Sequence, residues 1–291
     1  MPPMLIVNPV ASRVTPRLVA AVERELGDVE TQLTRGAWDA AELAAVASER
    51  ADRLFVFSGD GGYNEAVNGV ASGVAVGFIP GGATSVLPRA LGLPRDAVEC
   101  ARVLARSTRR RTISLGRVNG RRFTFSAGLG LDAELVRAVD GRGRNRGRRA
   151  GDLAFAVELT RILARRRGRF RPALTIANRG RAAFALVANC DPYTYVGTAP
   201  VHVAPTATFE GGLELVAPVE LTPARLPYAA FSVLARPRHL AASWIIHVPD
   251  ADELFVQCDR PFPLQTDGED LGDVLDARFV AERGALTVIV R

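Results

Sequence analysis

The first third of the chain alternates short apolar runs with segments of helical periodicity. The apolar runs predict strands at residues 5–8, 29–34, 54–57 and 74–79. Apolar residues at helical spacing between these runs predict helices, each preceded or followed by glycine or proline. Strands that alternate with helices are typical of a parallel sheet in α/β packing. We therefore predict an α/β domain over residues 1–117.

The pattern changes near Arg110. Two segments with a strand pattern, residues 111–118 and 122–125, flank Asn119-Gly120, a pair typical of a β-hairpin turn. Short alternating strands then recur up to Val290, with a few helical segments between them. We predict a second, mostly antiparallel β domain with helical insertions over residues 118–291.

Two glycine-rich turns follow two successive strands of the predicted α/β domain. Their sequences are Ser58-Gly59-Asp60-Gly61-Gly62 and Pro80-Gly81-Gly82-Ala83-Thr84-Ser85. Glycines let a ligand approach the backbone, and the first N–H groups of a following helix favour an anion. Because ligands bind beyond the carboxyl ends of parallel strands, both turns are expected to line one crevice. A tight turn without a ligand is the alternative for either turn alone.

Polar side chains near these turns suggest a nucleotide–magnesium site. Asp60 would repel a phosphate unless a metal ion lay between them, so it favours a bound magnesium ion. Thr84 and Ser85 can donate hydrogen bonds to phosphate oxygens. Asn64 and Asn68 share one helix face, so one of them can reach the ligand.

Four acidic residues lie close together between Asp267 and Asp273. A polar hairpin loop is the simplest explanation, but a carboxylate at a strand end can also face a cleft. Phosphoryl transfer needs charge neutralisation, alignment and a carboxylate that accepts the hydroxyl proton. Together with the glycine turns, these residues indicate a phosphotransferase that uses a nucleotide.

The positive charge is concentrated in Arg137–Arg171. The net charge of the chain is +6, and this segment alone holds 12 arginines against 3 acidic residues. It contains a glycine–arginine run at 140–150, predicted to be mobile, and a predicted amphipathic helix at 152–166. That helix is either a solvated surface helix or a face that meets anionic lipid headgroups.

Other features narrow the class further. The chain has no lysine, which excludes a Walker-type phosphate loop. Its three cysteines and three histidines are scattered, so neither a disulfide framework nor a zinc site is indicated. No signal peptide and no apolar run of membrane-spanning length is visible. We expect a cytoplasmic protein that associates peripherally with a membrane.

The ordered set of motifs resembles the diacylglycerol kinase catalytic-domain family, which includes bacterial lipid kinases and sphingosine and ceramide kinases. The resemblance rests on Asn8-Pro9, the two glycine turns, Asn68-Gly69, Ala127–Ala133 and Asp267-Gly268-Glu269. It implies an N-terminal domain similar to NAD kinase and phosphofructokinase, followed by a β-sandwich. It also implies ATP and Mg²⁺ as cofactors and a lipid hydroxyl as acceptor.

The resemblance assigns roles to individual residues. Glu269 is implied as the general base with Asp267 beside it, and Asp132 is implied to lie near the lipid headgroup. The residues implied to bind nucleotide or organise its magnesium are Asn8, Gly59, Asp60, Gly61, Gly62, Asn64, Gly81, Gly82, Thr84 and Ser85. Glu210 and Glu214 match a structural magnesium site of some members, with glutamates in place of the usual aspartates.

Two residues depart from the family pattern. Gly62 stands where threonine is usual, and Ser85 stands where asparagine is usual. The main hypothesis is therefore a kinase that phosphorylates a lipid hydroxyl, with diacylglycerol as the first choice and sphingosine or ceramide as alternatives. A non-catalytic nucleotide- or lipid-binding protein on the same fold is a second hypothesis, and a soluble-substrate kinase of the NAD kinase type is a third.

The expected partners are a membrane lipid substrate and an anionic membrane surface contacted through Arg137–Arg171. We expect no nucleic-acid partner. The sequence allows a homodimer but does not fix the number of copies.

Overall fold

The computed structural model describes residues 2–144, 152–235 and 237–291. They form two compact units. The first comprises the chain up to Leu115 together with Arg283–Arg291, and the second comprises Gly116–Glu282.

The first unit is built on parallel strands flanked by helices. Its strands are β1 Met4–Val7, β2 Glu30–Leu33, β3 Arg53–Ser58 and β4 Ala75–Pro80. Its helices are α1 Pro16–Leu26, α2 Asp39–Arg50, α3 Asp60–Gly69, α4 Val86–Ala90 and α5 Ala97–Arg106. The strands pair in parallel in the order β4-β3-β1-β2. The predicted α/β fold of this part is confirmed.

Local sequence explains these elements. Thr15 caps α1 by accepting a hydrogen bond from Leu18 N, and Asp96 caps α5 in the same way through Glu99 N. Nearly every residue of β3 and β4 is buried. Strands of this kind are covered by helices on both faces, which matches their continuous apolar sequence.

The second unit is mostly antiparallel, as predicted. Its chain enters through β5 Arg110–Val118, followed by β6 Arg121–Phe123, β7 Ser126–Leu129, β8 Leu174–Ile176, β9 Gly180–Ala182, β10 Ala185–Ala188, β11 Thr194–Val196, β12 Ala199–Val201, β13 Leu213–Pro218, β14 Ile245–Ala251, β15 Glu253–Thr266 and β16 Glu269–Ile289. Its helices are α6 Leu131–Arg144, α7 Asp152–Arg165 and α8 Leu226–Leu234, with a 3₁₀ turn at His239–Ala241.

The strands of the second unit follow the order β14-β13-β10-β7-β15-β16, with every neighbouring pair antiparallel. Along the first half of β15, exposed and buried residues alternate. This alternation is expected for an antiparallel strand with one solvated face. The hairpin predicted at Asn119-Gly120 joins β5 to β6.

The last strand, β16, differs from the prediction that the second domain runs to residue 291. The second unit ends at Glu282, and the final nine residues belong to the first unit. There Thr287 and Val288 pair in parallel with Ala75 and Val76 of β4. The partner strand lies some two hundred residues away in sequence, so local periodicity could not assign it.

The arginine-rich segment is largely helical where it is described. α6 continues through Arg144, so the first residues of the run predicted to be mobile, 140–150, are helical. The rest of that run, from 145 onwards, lies outside the described residues. The helix predicted at 152–166 is α7, but Phe155 of its predicted apolar face is 39% exposed.

Candidate active site

The first glycine turn forms the start of α3 directly after β3. Gly59 precedes the helix, and its carbonyl oxygen accepts the first helical hydrogen bond from Tyr63 N at 3.1 Å. The N–H groups of the residues between them have no partner within the helix, as at every helix N-terminus. Asp60, Gly61 and Gly62 therefore form an anion-favouring helix start, with the Asp60 side chain partly exposed beside it.

The second glycine turn is bonded to the first one. Gly81 N donates to Ser58 O at 2.7 Å, and Leu87 N donates to the Asp60 carboxylate at 3.4 Å. A Cβ atom on Gly82 would lie 2.9 Å from Gly59 Cα, so only glycine allows the two backbones to approach this closely. The predicted crevice at the carboxyl ends of β3 and β4 thus brings both turns together.

Asn8 adds the end of β1 to the same edge of the sheet. Its backbone N–H donates to Phe57 O at 3.0 Å, and its side-chain oxygen accepts from Val10 N at 3.1 Å. The side-chain amide nitrogen of Asn8 lies 3.7 Å from the position that a Cβ atom on Gly62 would occupy. Thr84, in the second turn, is partly exposed.

Two predicted ligand contacts are directed into the protein. Asn64 has no exposed surface, so its side chain packs behind the first turn. Ser85 has a left-handed backbone with φ of 49° and is 2% exposed. Its hydroxyl accepts from Gly82 N at 3.1 Å, so it stabilises the second turn. Both side chains are enclosed by the fold.

In the second unit, Asp267 lies in a nest of donors. Its two carboxylate oxygens accept four hydrogen bonds, from Thr124 N and Oγ1, Phe125 N and Ser126 N, at 2.7–3.1 Å. The residue is 3% exposed and has a positive φ of 48°. A carboxylate so fully engaged holds the β15–β16 turn in place and leaves no lone pair directed at a substrate.

Glu269 follows that turn at the first position of β16 and is partly exposed. Next to it, Asp270 accepts two hydrogen bonds from the Arg137 guanidinium, at 2.8 and 3.0 Å. Arg137 also pairs with Asp273 at 2.7 Å. The hydrogen bonds to these carboxylates raise the pKa of Arg137, so its charge is permanent.

Asp132 joins a hydrogen-bonded chain that leads to the same loop. Its carboxylate accepts from the Tyr193 hydroxyl at 2.6 Å and from Gln265 Nε2 at 2.5 Å. The side-chain oxygen of Gln265 in turn accepts from Gly268 N at 2.9 Å. Burial raises the pKa of Asp132, against the opposing effect of these two hydrogen bonds. Burial and the neighbouring Asp132 charge raise the pKa of Tyr193.

The glutamates predicted as a structural metal site have other partners. Glu214 is 1% exposed, and its oxygens accept from Thr206 Oγ1 at 2.7 Å and contact His247 Nε2 at 2.9 Å. Across the described parts of the chain, no group of three or more histidine, cysteine or acidic side chains has metal-binding geometry. The imidazole of His247 thus lies beside the Glu214 carboxylate.

The sequence did not single out Ser58, Tyr193 or Gln265. Ser58 ends β3 under the first turn, is 1% exposed, and its hydroxyl has no hydrogen-bond partner among the residues described. The signal that could have revealed it is a hydroxyl side chain four residues before the unusual Gly62. Tyr193 lies 61 residues from Asp132 and carried no sequence signal.

Comparison with known proteins finds a family match in the first part of the chain. Residues 2–118 match the family model described as the diacylglycerol kinase catalytic domain. The resemblance predicted from the motifs is therefore confirmed for this part of the chain. This region contains β1, β3, β4 and both glycine turns.

A curated relative matches part of the chain. Over 113 residues the chain is 37% identical to a diacylglycerol kinase of Bacillus subtilis (strain 168). The matched stretch covers 38% of this chain and only 37% of the relative's length.

Solved structures extend the fold comparison to the whole chain. A diacylglycerol kinase structure from Bacillus anthracis str. Sterne matches with a TM-score of 0.69 and 19% identity. A candidate diacylglycerol kinase from the same organism matches with a TM-score of 0.74 and 21% identity. Both matches cover 100% of this chain and 97% of the other, and at this identity they establish a shared fold.

Proposed function

We propose that this protein is an ATP- and Mg²⁺-dependent kinase that phosphorylates a lipid hydroxyl, with diacylglycerol as the acceptor and phosphatidate as the product. One observation carries the proposal. The region that matches the diacylglycerol kinase catalytic domain brings two glycine turns together around Asp60 at the carboxyl ends of parallel strands. Such a site favours the phosphates of a nucleotide.

The first unit supplies the nucleotide side of the reaction. The N–H groups at the start of α3, together with Asn8 and Thr84, would hold phosphate oxygens. The carboxylate oxygens of Asp60 are of the hard type that Mg²⁺ prefers, and the N–H groups beside them favour anionic phosphate, so these residues suit a nucleotide–magnesium pair. When bound, the metal ion would neutralise phosphate charge. Asp60 would help to hold the metal ion that is bound to the phosphates of the nucleotide.

The second unit supplies the acceptor side. Glu269 would accept the proton of the lipid hydroxyl as the attacking oxygen bonds to the γ-phosphorus of ATP, while the bond from that phosphorus to the β,γ-bridging oxygen breaks and ADP leaves. Asp267 would hold the turn that carries Glu269, and the Asp132–Gln265–Gly268 chain would fix the same turn from the other side. Asp132 would also lie near the lipid headgroup.

A kinase that phosphorylates a lipid must act at a bilayer surface. No helix in the described ranges combines the length and apolarity needed to cross a membrane. We therefore propose peripheral association, with a cytoplasmic location. The surface that makes this contact is argued separately below.

The test is transfer of labelled phosphate from ATP to a panel of diacylglycerol, sphingosine and ceramide in mixed micelles, with NAD as a soluble acceptor. The proposal predicts a labelled lipid and no labelled NAD. If NAD alone is labelled, the proposal is wrong and the protein is a kinase that acts on a soluble substrate.

A second candidate is a non-catalytic nucleotide- or lipid-binding protein on the same fold. The observation that favours it is the enclosed Ser85 hydroxyl, which is bonded to Gly82 and so not directed at a ligand. Loss of one such hydrogen bond weakens binding by about 0.5–1.5 kcal/mol, which a high ATP concentration can offset. Stabilisation by ATP without transfer to any acceptor would favour this candidate.

A further inference from the structure

The second unit contains a cavity of about 540 Å³ that none of the predicted site residues lines. Four arginines surround it, namely Arg166, Arg169, Arg171 and Arg260. Its apolar wall includes Phe170 and Phe262. A cavity with several guanidinium groups and aromatic walls is suited to an anion that carries an apolar part.

The cavity is positively charged, and in the described part of the chain most of its arginines do not form an ion pair with a carboxylate. Its carboxylate, Asp259, is paired with Arg181. Arg166 is engaged with Glu134 at 2.9 Å. Among the residues that the structure describes, Arg169, Arg171 and Arg260 have no carboxylate within ion-pair distance. Three guanidinium groups are therefore available to a ligand.

An exposed apolar helix packs on the same cluster of side chains. Phe170 belongs to a buried cluster against which the partly buried Leu226 of α8 packs. On its outer side, α8 exposes Tyr228, Phe231 and Leu234, which are 43%, 57% and 49% accessible. Large apolar side chains on the outer side of a helix are typical of a surface that inserts into the headgroup region of a bilayer.

We propose that the arginine cavity binds the phosphate headgroup of an anionic phospholipid while the outer side of α8 enters the bilayer surface. The bound lipid is a docking ligand and is not phosphorylated. The arginines supply planar, bidentate donors for phosphate oxygens. The proposal goes beyond the kinase function and does not depend on it, because docking would occur whether or not ATP is used.

The experiment measures partition of the full chain onto phosphatidylcholine vesicles with and without phosphatidylglycerol. The test variant is Arg169→Gln with Arg171→Gln. The matched control is Arg110→Gln with Arg179→Gln, which removes two exposed arginines outside the cavity. A third variant, Phe231→Ser, tests α8. Circular dichroism and thermal unfolding establish that each variant is folded.

The proposal predicts a loss of roughly fivefold per cavity arginine on anionic vesicles, since a basic residue at such a surface is worth about a factor of five. The control pair should lose clearly less, and Phe231→Ser should weaken binding to both kinds of vesicle. Equal losses for the cavity and control pairs would overturn the proposal in favour of general surface charge. If inorganic phosphate stabilises the wild type but not the cavity variant, and the two proteins bind vesicles equally, the cavity binds free phosphate and the proposal of a lipid headgroup is wrong.

Discussion

Ser58 fills the space that a side chain at Gly62 would need. A Cβ atom on Gly62 would lie 2.8 Å from Ser58 Cβ and closer still to its hydroxyl oxygen. Real Cβ atoms do not approach side chains this closely, so the two positions share one volume. Gly62 lacks the hydroxyl of the threonine that is usual at this position in the family. The Ser58 hydroxyl lies nearby, at the end of β3.

Gly62→Thr should destabilise the protein because the new side chain would overlap Ser58. Overpacking of this kind costs about 1–3 kcal/mol. Adding Ser58→Gly should restore most of that loss, since the two side chains exchange places. The measurement is the free energy of unfolding in urea for both single variants and the double variant, read as a double-mutant cycle.

The matched control is Gly36→Thr. Gly36 is exposed and a Cβ atom there would meet nothing within 4 Å, so its substitution should change stability by less than about 0.5 kcal/mol. If Gly62→Thr is as stable as Gly36→Thr, the two positions do not compete for space.

Asp267→Asn should lower the free energy of unfolding. This prediction concerns stability and does not test catalysis. The amide group would present a donor to N–H groups that now donate to the carboxylate. Loss of hydrogen bonds to a buried charged group costs on the order of 3 kcal/mol. Glu269→Gln, two residues away, should leave the free energy of unfolding nearly unchanged. Equal stability of the two variants would refute the assignment of Asp267 as the group that holds the turn.

Asp132→Asn should make stability less dependent on pH. Burial raises the pKa of Asp132 in the folded state, so its stabilising contribution is complete in acid and is lost as the pH rises through that pKa. The amide keeps an oxygen acceptor for Tyr193 but cannot ionise. Urea unfolding from about pH 3 to pH 7 should show the variant gaining on the wild type as the pH rises. A variant that loses stability relative to the wild type as the pH rises would contradict the sign of this shift. Asp132→Ala, which removes the acceptor, should be less stable throughout.

Arg137→Gln should leave vesicle binding nearly unchanged, although Arg137 belongs to the segment predicted to contact anionic lipid. Its charge is already paired with Asp270 and Asp273, so it adds little to the outer field. Its loss should instead loosen the loop that carries Glu269 and lower phosphoryl transfer. A fall in vesicle binding as large as that of the cavity variant would show that Arg137 faces the membrane.

The sequence was sufficient for the alternating half of the fold because β3 is apolar between Arg53 and Ser58, β4 is apolar throughout, and both strands end at glycine turns. The pairing of the last strand with the first unit was not predictable in this way. Residues 283–291 have a strand pattern that suits either unit, and only the pairing of Thr287 with Ala75 decides between them. Periodicity reports the local element and says nothing about a distant partner.

The chemistry of the carboxylate loop was predicted in outline only. Asp267 and Glu269 lie two residues apart and look equivalent in sequence. Their difference arises from Thr124–Ser126, more than 140 residues earlier, whose N–H groups enclose Asp267 alone. In the same way, Asn64 matched a ligand motif, but helix packing buries its side chain completely.

The most direct measurement for the proposed kinase compares the wild type with Glu269→Gln in transfer of labelled phosphate from ATP to diacylglycerol, alongside ATP binding by thermal shift. A general base contributes roughly 100- to 10,000-fold to the rate. The account predicts that Glu269→Gln loses at least about 100-fold in transfer while ATP still stabilises the variant as it does the wild type. Equal labelling of diacylglycerol by the two proteins would contradict it.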